Sequence, residues 1–190
     1  PGLIAIDRNG SRFVDEGASY HHFAEAQRNT VGASAPAWLV CDSRFIRRYG
    51  LGLRPPGRVR QSRASYDGLD ASPTLDDLAV LLKIDPAALK DTVARHNEAA
   101  RLGYDPDFQK GSSPVAHFNG DPTREPNPCL GPITEAPFYA LPIWVADAAS
   151  SSGLATDANG AALDVTGSPI AGLHVCGNDM ASVFQGSYPG

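Results

Sequence analysis

The feature that most constrains the fold is a pair of consecutive amphipathic helices between residues 74 and 103. Thr74 is followed three residues later by Asp77, a pattern typical of a helix N-terminus in which two side chains satisfy free backbone N–H groups. Leucines then recur at the spacing of one helix face, at positions 75, 78, 81 and 82. The pattern predicts a first helix with one apolar stripe.

A second helix is predicted to begin at Asp85 and Pro86. Aspartate is favoured at the N-cap, and proline loses nothing at the first helical position because the N–H there has no partner within the helix. Its apolar stripe continues towards Gly103 through Leu89, Val93 and Ala100. Two short helices cannot bury their stripes alone, so we expect the pair to pack against a sheet or another domain.

Short apolar runs on both sides of the helix pair predict β-strands. Leu3 to Asp7 and Arg12 to Val14 flank the tight-turn signal Asn9-Gly10, which predicts a hairpin at the front of the chain. Other strands are predicted at residues 37–41, 138–144 and 173–176, and a hairpin between residues 153–156 and 161–164. Strands at both ends with helices between them indicate the α+β class.

The remaining stretches have weaker signals. Ser19 to Arg28 has the composition of a short helix, whereas residues 50–68 and 105–137 are rich in glycine and proline and show no period. We therefore expect long irregular connections in those two places.

Composition excludes several functions. Lys plus Arg number 16 against 21 Asp plus Glu, giving a net charge of −5 with the signs interspersed, which argues against a nucleic-acid-binding protein because no basic stripe is present. No apolar run approaches the roughly 18 to 20 residues of a membrane span. Cys41, Cys129 and Cys176 lack metal-binding or redox spacing. With no signal-peptide pattern at the front of the sequence, we expect reduced thiols and a cytoplasmic protein.

Residues 159–164, 169–178 and 186–190 resemble the closing segment of flavoproteins of the fumarate reductase and 3-ketosteroid dehydrogenase superfamily. The similarity is strongest to the 3-oxosteroid Δ1-dehydrogenase branch, in which a Gly-Asn-Asp segment leads to Tyr-Pro-Gly, as it does here from Gly177 to Gly190. Asn9 to Glu16 is similar to the Gly-x-Arg-Phe-x-Asn-Glu element of that family. The resemblance covers nearly the whole chain and implies FAD as cofactor.

The resemblance also implies a domain organisation. Residues 1–145 would form the cap, or substrate, domain of a flavoprotein, with short antiparallel strands and the αα unit, and residues 146–190 a hairpin and strand-loop leading back to the FAD-binding domain. The dinucleotide fingerprint Gly-x-Gly-x-x-Gly is absent from the sequence. We expect this chain to be a piece of a longer protein, with a missing FAD domain as its partner and no flavin bound by the piece alone.

Two tyrosines are the predicted catalytic residues. The resemblance implies that Tyr188 polarises a substrate carbonyl, which a neutral phenol does by donating a hydrogen bond as charge develops on the oxygen. Tyr20 stands at the spacing at which the ketosteroid enzymes place the tyrosine that abstracts a proton beside the ketone. The alternative for Tyr188 is simple packing within a loop.

Further residues are predicted to contact substrate or cofactor. Glu16 and His22 are candidates for substrate binding, and the resemblance places Gly177, Asn178 and Gly190 along the flavin. Glu16 has an alternative role as a favourable charge near a helix N-terminus, and a histidine such as His22 is more often a surface residue. Adjacent His21 and His22 cannot face one side of a helix, so no metal site is predicted.

The predicted function is FAD-dependent dehydrogenation of a 3-ketosteroid-like ketone, with hydride passing to flavin N5. In fumarate reductases the counterpart of Glu16 works with an arginine three residues later, and Ser19 stands there, which argues against fumarate as substrate. The alternatives are an ene-reductase-like flavoprotein of the same superfamily and a non-catalytic cap module. The sequence leaves the exact ketone, the electron acceptor and the number of associated copies open.

Overall fold

The computed structural model describes residues 1–32, 35–57, 68–146 and 152–184. The chain divides into two compact units, one of Pro1–Ala18 with Glu25–Val145 and the other of Ser19–Ala24 with the residues from Ala146 onward. Its elements in chain order are β1 (Leu3–Ile6), α1 (Tyr20–Thr30), β2 (Ala37–Asp42), α2 (Ser43–Tyr49), β3 (Asp70–Ser72), α3 (Leu75–Leu82), α4 (Pro86–Leu102), α5 (Pro114–Asn119), β4 (Phe138–Ile143), β5 (Ala161–Leu163), β6 (Pro169–His174) and a 3-10 turn, Gly177–Asp179. The predicted mixture of helices with antiparallel strands is confirmed.

A four-stranded antiparallel sheet organises the first unit. Its strand order is β1-β2-β4-β3, so the strands closest in sequence are not all neighbours in space. In the register Ile4 pairs with Val40, and Val40 pairs with Ala140 on its other side. Because successive side chains alternate between the two faces of a sheet, these three residues lie on one face.

The predicted helix pair packs on that face, as expected. The core residues that α3 and α4 share with the sheet include Ile4, Ile6, Val40, Leu78, Leu82, Leu89, Val93 and Ala140. The caps are also as predicted: the Thr74 hydroxyl accepts a hydrogen bond of 3.0 Å from the Asp77 N–H, and the Asp85 carboxylate accepts one of 3.2 Å from the Ala87 N–H. α4 ends at Gly103, whose φ of 75° is one that glycine adopts without strain.

The opposite face of the sheet is covered by α2, which the sequence analysis did not predict. Ile46 and Phe45 pack there on Cys41 and Tyr139. Asp42 caps α2 by accepting from the Phe45 N–H at 2.9 Å, and its other oxygen accepts from the Thr134 and Glu135 N–H groups at 2.9 and 3.0 Å. One carboxylate therefore joins a strand end, a helix start and the segment before β4.

Several predicted elements differ from the structure. The front hairpin is reduced to one bridge between Ile6 and Arg12, because the chain leaves the sheet after the turn at Gly10. Residues 105–137 are not wholly irregular, since α5 lies within them with Ser113 as its N-cap. The predicted segment 50–68 falls largely outside the described residues, and β3 follows it.

The second unit contains a two-stranded sheet. β5 pairs with β6, with Ala161 opposite His174 and Leu163 opposite Pro169, so the hairpin lies one strand later than predicted. The predicted partner, residues 153–156, makes only single bridges, from Thr156 to Ala162 and from Leu154 to Met180. All six residues of β6 are exposed. Among the helices of the described ranges, none has the length and apolar character to cross a bilayer.

Replacing Gly10 by alanine should destabilise the first unit. At Gly10, where φ is +76°, a Cβ would lie 2.9 Å from Ile84 Cγ2 and 3.2 Å from the Leu89 backbone nitrogen, whereas at Gly68 (φ +64°) a Cβ would meet nothing within 4 Å. We expect Gly10→Ala to lower the free energy of unfolding by about 2 to 4 kcal/mol and Gly68→Ala by about 1 kcal/mol. Urea unfolding measures both, and equal losses would show that Ile84 gives way without cost.

Candidate active site

Tyr20 is the first residue of α1, and its side chain is 79% exposed. The carbonyl of Ser19 accepts from the Phe23 N–H at 2.9 Å, and the Ser19 hydroxyl accepts weakly from the His22 N–H at 3.4 Å. The helix therefore begins at the predicted base, because Ser19 satisfies N–H groups of its first turn. The phenol of Tyr20 is presented at the surface of the described chain.

The two histidines that follow Tyr20 lie on the first turn of α1. Their ring centroids are 6.1 Å apart and the planes are tilted by 54°. His22 is exposed. No group of three or more metal-ligating side chains occurs among the residues that the structure covers. His22 is thus available for contact with a molecule from outside, and its predicted role in substrate binding stays a prediction.

The predicted flavin-binding residues Gly177 and Asn178 lie in the 3-10 turn after β6, and both are exposed. Gly177 has a φ of +63°, and a Cβ added to it would meet nothing within 4 Å. The backbone at this turn is accessible to a ligand, as a close approach to a cofactor requires. The other predicted residues, Tyr188 and Gly190, lie outside the described residues.

Glu16 is buried, in contrast to Tyr20. Its side chain is 2% exposed and bridges two cations: Arg12 Nε lies 2.9 Å from Oε1, and Lys110 Nζ lies 2.8 Å from Oε2. Oε1 also accepts from the Ala5 N–H at 2.9 Å, and Oε2 accepts from Arg12 Nη2 at 3.0 Å. Both oxygens are therefore engaged inside the protein, and the predicted contact of Glu16 with substrate stays a prediction.

Asp105 completes a buried charge cluster, which we define as Arg12, Glu16, Asp105 and Lys110. Arg12 donates from Nη1 and Nη2 to the two oxygens of Asp105, at 3.1 and 2.9 Å, and its guanidinium carbon lies 4.9 Å from the centre of the Phe108 ring. The four side chains are 6% exposed or less. Two cations and two anions balance one another, which is the arrangement that buried charge requires.

The cluster keeps its carboxylates ionised. Burial alone would raise the pKa of the Glu16 carboxyl, but the charges and hydrogen bonds of Lys110 and Arg12 outweigh burial and lower that pKa to about 2. Burial would also raise the pKa of the Asp105 carboxyl, but the hydrogen bonds and charge of Arg12 outweigh burial and lower that pKa. The group is therefore a fixed ion-pair network at neutral pH.

Sequence reasoning identified Glu16 but not its partners. Arg12 and Glu16 are four residues apart, a spacing that permits an ion pair. This pair could therefore have been predicted from the sequence. Lys110 and Asp105 lie in a stretch without periodicity, 94 and 93 residues away from the groups they bind. Only the folded chain brings them together.

The fold is that of part of a flavoprotein. Over its whole length the chain matches the crystal structure of 3-ketosteroid Δ1-dehydrogenase from Sterolibacterium denitrificans in complex with 1,4-androstadiene-3,17-dione, with a TM-score of 0.91 and 35% sequence identity, covering 35% of that protein. The model of the family described as FAD binding domain matches residues 1–190. The chain belongs to this FAD-binding family.

Two characterised relatives are similar along the entire chain. One is 4-oxocyclohex-2-ene-1-carboxylate 5-dehydrogenase of Sinomonas cyclohexanicum, which is 38% identical over 193 residues; the chain covers 33% of that protein. The other is 3-oxosteroid 1-dehydrogenase of Mycobacterium tuberculosis, which is 36% identical over 198 residues; the chain covers 35% of that protein. The chain thus spans about a third of the length of these relatives.

Acid should weaken the protein through Glu16. The carboxyl titrates near 4.5 when unperturbed and near 2 in the fold, so it contributes stability above pH 4.5 that is lost as the pH falls towards 2. Because glutamine does not titrate, we expect acid to lower the free energy of unfolding of Glu16→Gln by roughly 3 kcal/mol less than that of the unaltered protein. Unfolding curves recorded from pH 7 to 2 measure it.

Glu98→Gln is the matched control, because Glu98 pairs with Arg101 on the exposed side of α4. Its stability should follow the acid dependence of the unaltered protein. Parallel pH curves for Glu16→Gln and the unaltered protein would contradict the assignment of the buried charge.

Proposed function

We propose that the full-length protein is an FAD-dependent dehydrogenase that introduces a double bond beside the carbonyl of a ring ketone or 3-ketosteroid. The observation that carries the proposal is the similarity along all 190 residues to two dehydrogenases whose names both specify an oxo compound. The exposed phenol of Tyr20 at the start of α1 supplies a group suited to removing a proton beside a carbonyl.

We propose that residues 1–145 act as the cap, or substrate, domain and that residues 146–190 lead back to an FAD domain encoded elsewhere in the protein. The exposure of every residue of β6 supports this, since a two-stranded sheet is marginally stable until another surface covers it. Leu154, Ile170, Leu173, Met180, Val183 and Phe184 are also exposed in this part of the chain.

The accessible backbone of the 3-10 turn supports the proposed place of a flavin. Gly177 leaves open space where a Cβ would stand, and the amide of Asn178 can both donate and accept a hydrogen bond. Together with Gly190 they are proposed to lie along FAD. When bound, FAD supplies the acceptor for the two electrons and the hydrogen that leave the substrate as hydride.

The two tyrosines divide the remaining chemistry. Tyr20, as tyrosinate, takes the proton from the carbon beside the carbonyl, and the electron pair left on that carbon forms the new double bond as the neighbouring carbon loses hydride. Tyr188 donates a hydrogen bond to the carbonyl oxygen, which stabilises the negative charge that develops there. The exposed His22, two residues from Tyr20, is proposed to contact the substrate.

Tyr20→Phe should lower kcat of the flavin-loaded, full-length enzyme by about 10²- to 10⁴-fold, because phenylalanine cannot accept the proton. KM should change much less, since the substitution removes only a hydroxyl and keeps the ring. Steady-state kinetics with a 3-ketosteroid measure both constants. Tyr104→Phe is the control, because Tyr104 is also exposed, at 59%, and follows α4; full kcat in Tyr20→Phe would contradict the assigned base.

Tyr188→Phe should lower kcat by about 10²- to 10³-fold, which is the usual cost of removing one donor from a developing oxyanion. The flavin absorption band should be retained, since the substitution removes only a hydroxyl. Turnover of 3-ketosteroids at the rate of the unaltered enzyme would remove Tyr188 from the mechanism.

A further inference from the structure

We infer that Glu16 and Lys110 are positioning residues, which fix the turn that leads into α1 and thereby the place of the base Tyr20. The inference rests on the proposed function, because it takes Tyr20 as the base. It gives the buried charge cluster a role in the reaction without any contact with substrate.

The cluster attaches two loops to the sheet. Glu16 accepts from the Ala5 N–H at 2.9 Å, and Lys110 Nζ donates to the Leu3 carbonyl oxygen at 2.7 Å. Leu3 and Ala5 belong to β1, whose hydrogen bonds to β2 hold it in the sheet. Glu16 and Lys110 are therefore held against β1 and against each other, and neither can shift without breaking a buried, charge-assisted hydrogen bond.

The chain between Glu16 and α1 is short and hydrogen-bonded. The Asp15 carboxylate accepts from the Gly17 N–H at 2.8 Å, and the Asp15 carbonyl accepts from the Ala18 N–H at 3.0 Å. One residue later, Ser19 accepts from the first turn of the helix. Glu16 is thus joined to the beginning of α1 by a short, hydrogen-bonded turn.

The far end of α1 has its own attachment. Gln27 is 2% exposed and donates from Nε2 to the Ile143 carbonyl oxygen at 2.9 Å. Gln27 is thus attached to β4 and Glu16 to β1, so the residues on both sides of the first turn of α1 are hydrogen-bonded to the sheet. The cluster controls the second of these attachments, the one nearer to Tyr20.

Stability is a weak reason for a protein to bury four charges. Apolar side chains of similar volume stabilise a core as well as a buried ion pair does, and often better. What the charges add is direction: each hydrogen bond fixes an angle as well as a distance. A catalytic base needs that kind of control, because a misplacement of about 1 Å can cost about 10²-fold in rate.

The test is a double-mutant cycle on the flavin-loaded, full-length enzyme with a 3-ketosteroid as substrate. Glu16→Gln is expected to lower kcat by about 10- to 100-fold and to leave KM within about threefold. The double variant Glu16→Gln/Tyr20→Phe is expected to be no slower than Tyr20→Phe alone, because a residue that acts through Tyr20 has no effect without it. Glu98→Gln should retain the kcat of the unaltered enzyme.

Additive losses in the double variant, or an unchanged kcat in Glu16→Gln, would overturn the inference. Lys110→Gln leaves the Arg12–Glu16 pair in place and is the second variant should Glu16→Gln fail to fold. It is expected to show the same non-additive pattern with a smaller loss, and additivity there would overturn the inference equally.

Hydrogen exchange separates this inference from the proposed function. In Glu16→Gln the amides of Ala18 and Phe23, which are bonded to Asp15 and Ser19, should exchange faster, and those of α4 at the unaltered rate. Unchanged exchange at Ala18 and Phe23 would overturn the positioning role. Full kcat in Tyr20→Phe would instead overturn the proposed base, and exchange would still decide whether the cluster holds the turn.

Discussion

The bidentate contact of Glu16 with Arg12, reinforced by Lys110, is the interaction on which the geometry of the first unit depends. Removing one member would leave charge buried without a partner, which typically costs about 3 to 5 kcal/mol. The cluster joins β1, the segment before α1 and the loop after α4, which are far apart in sequence. The ion pairs fix how these segments are oriented, which the hydrophobic core cannot do because apolar packing has no preferred direction.

The parts of the fold that sequence reasoning predicted are those with local signals. Thr74 and Asp85 accept hydrogen bonds from N–H groups two or three residues ahead, so the starts of α3 and α4 could be predicted without any knowledge of the rest. Leu78 and Leu82 of the predicted stripe are buried, whereas Leu81 is 53% exposed. The need to cover the stripe predicted a sheet or another domain as its partner.

The parts that were missed depend on distant residues. α2 is held by Asp42, which also binds Thr134 and Glu135, and nothing near Asp42 in sequence indicates those partners. β6 was predicted too late in the chain, and residues 161–164 were paired with 153–156 instead of with β6, because β6 is exposed and lacks the alternation by which strands are recognised. For the site, the resemblance directed attention to Tyr20 and Glu16, but only the structure distinguishes an exposed phenol from a buried carboxylate.

That distinction bears on how the proposed reaction handles its proton. A relay residue must be protonated for part of each cycle, whereas the charges and hydrogen bonds of Lys110 and Arg12 hold the pKa of the Glu16 carboxyl well below neutral pH. Glu16 is also held by two cations that would lose their partner if it accepted a proton. The resemblance assigns its counterpart in fumarate reductases to a relay, and here Ser19 replaces the arginine of that relay. In the proposed reaction, the proton that Tyr20 takes would therefore leave by a route that does not include Glu16.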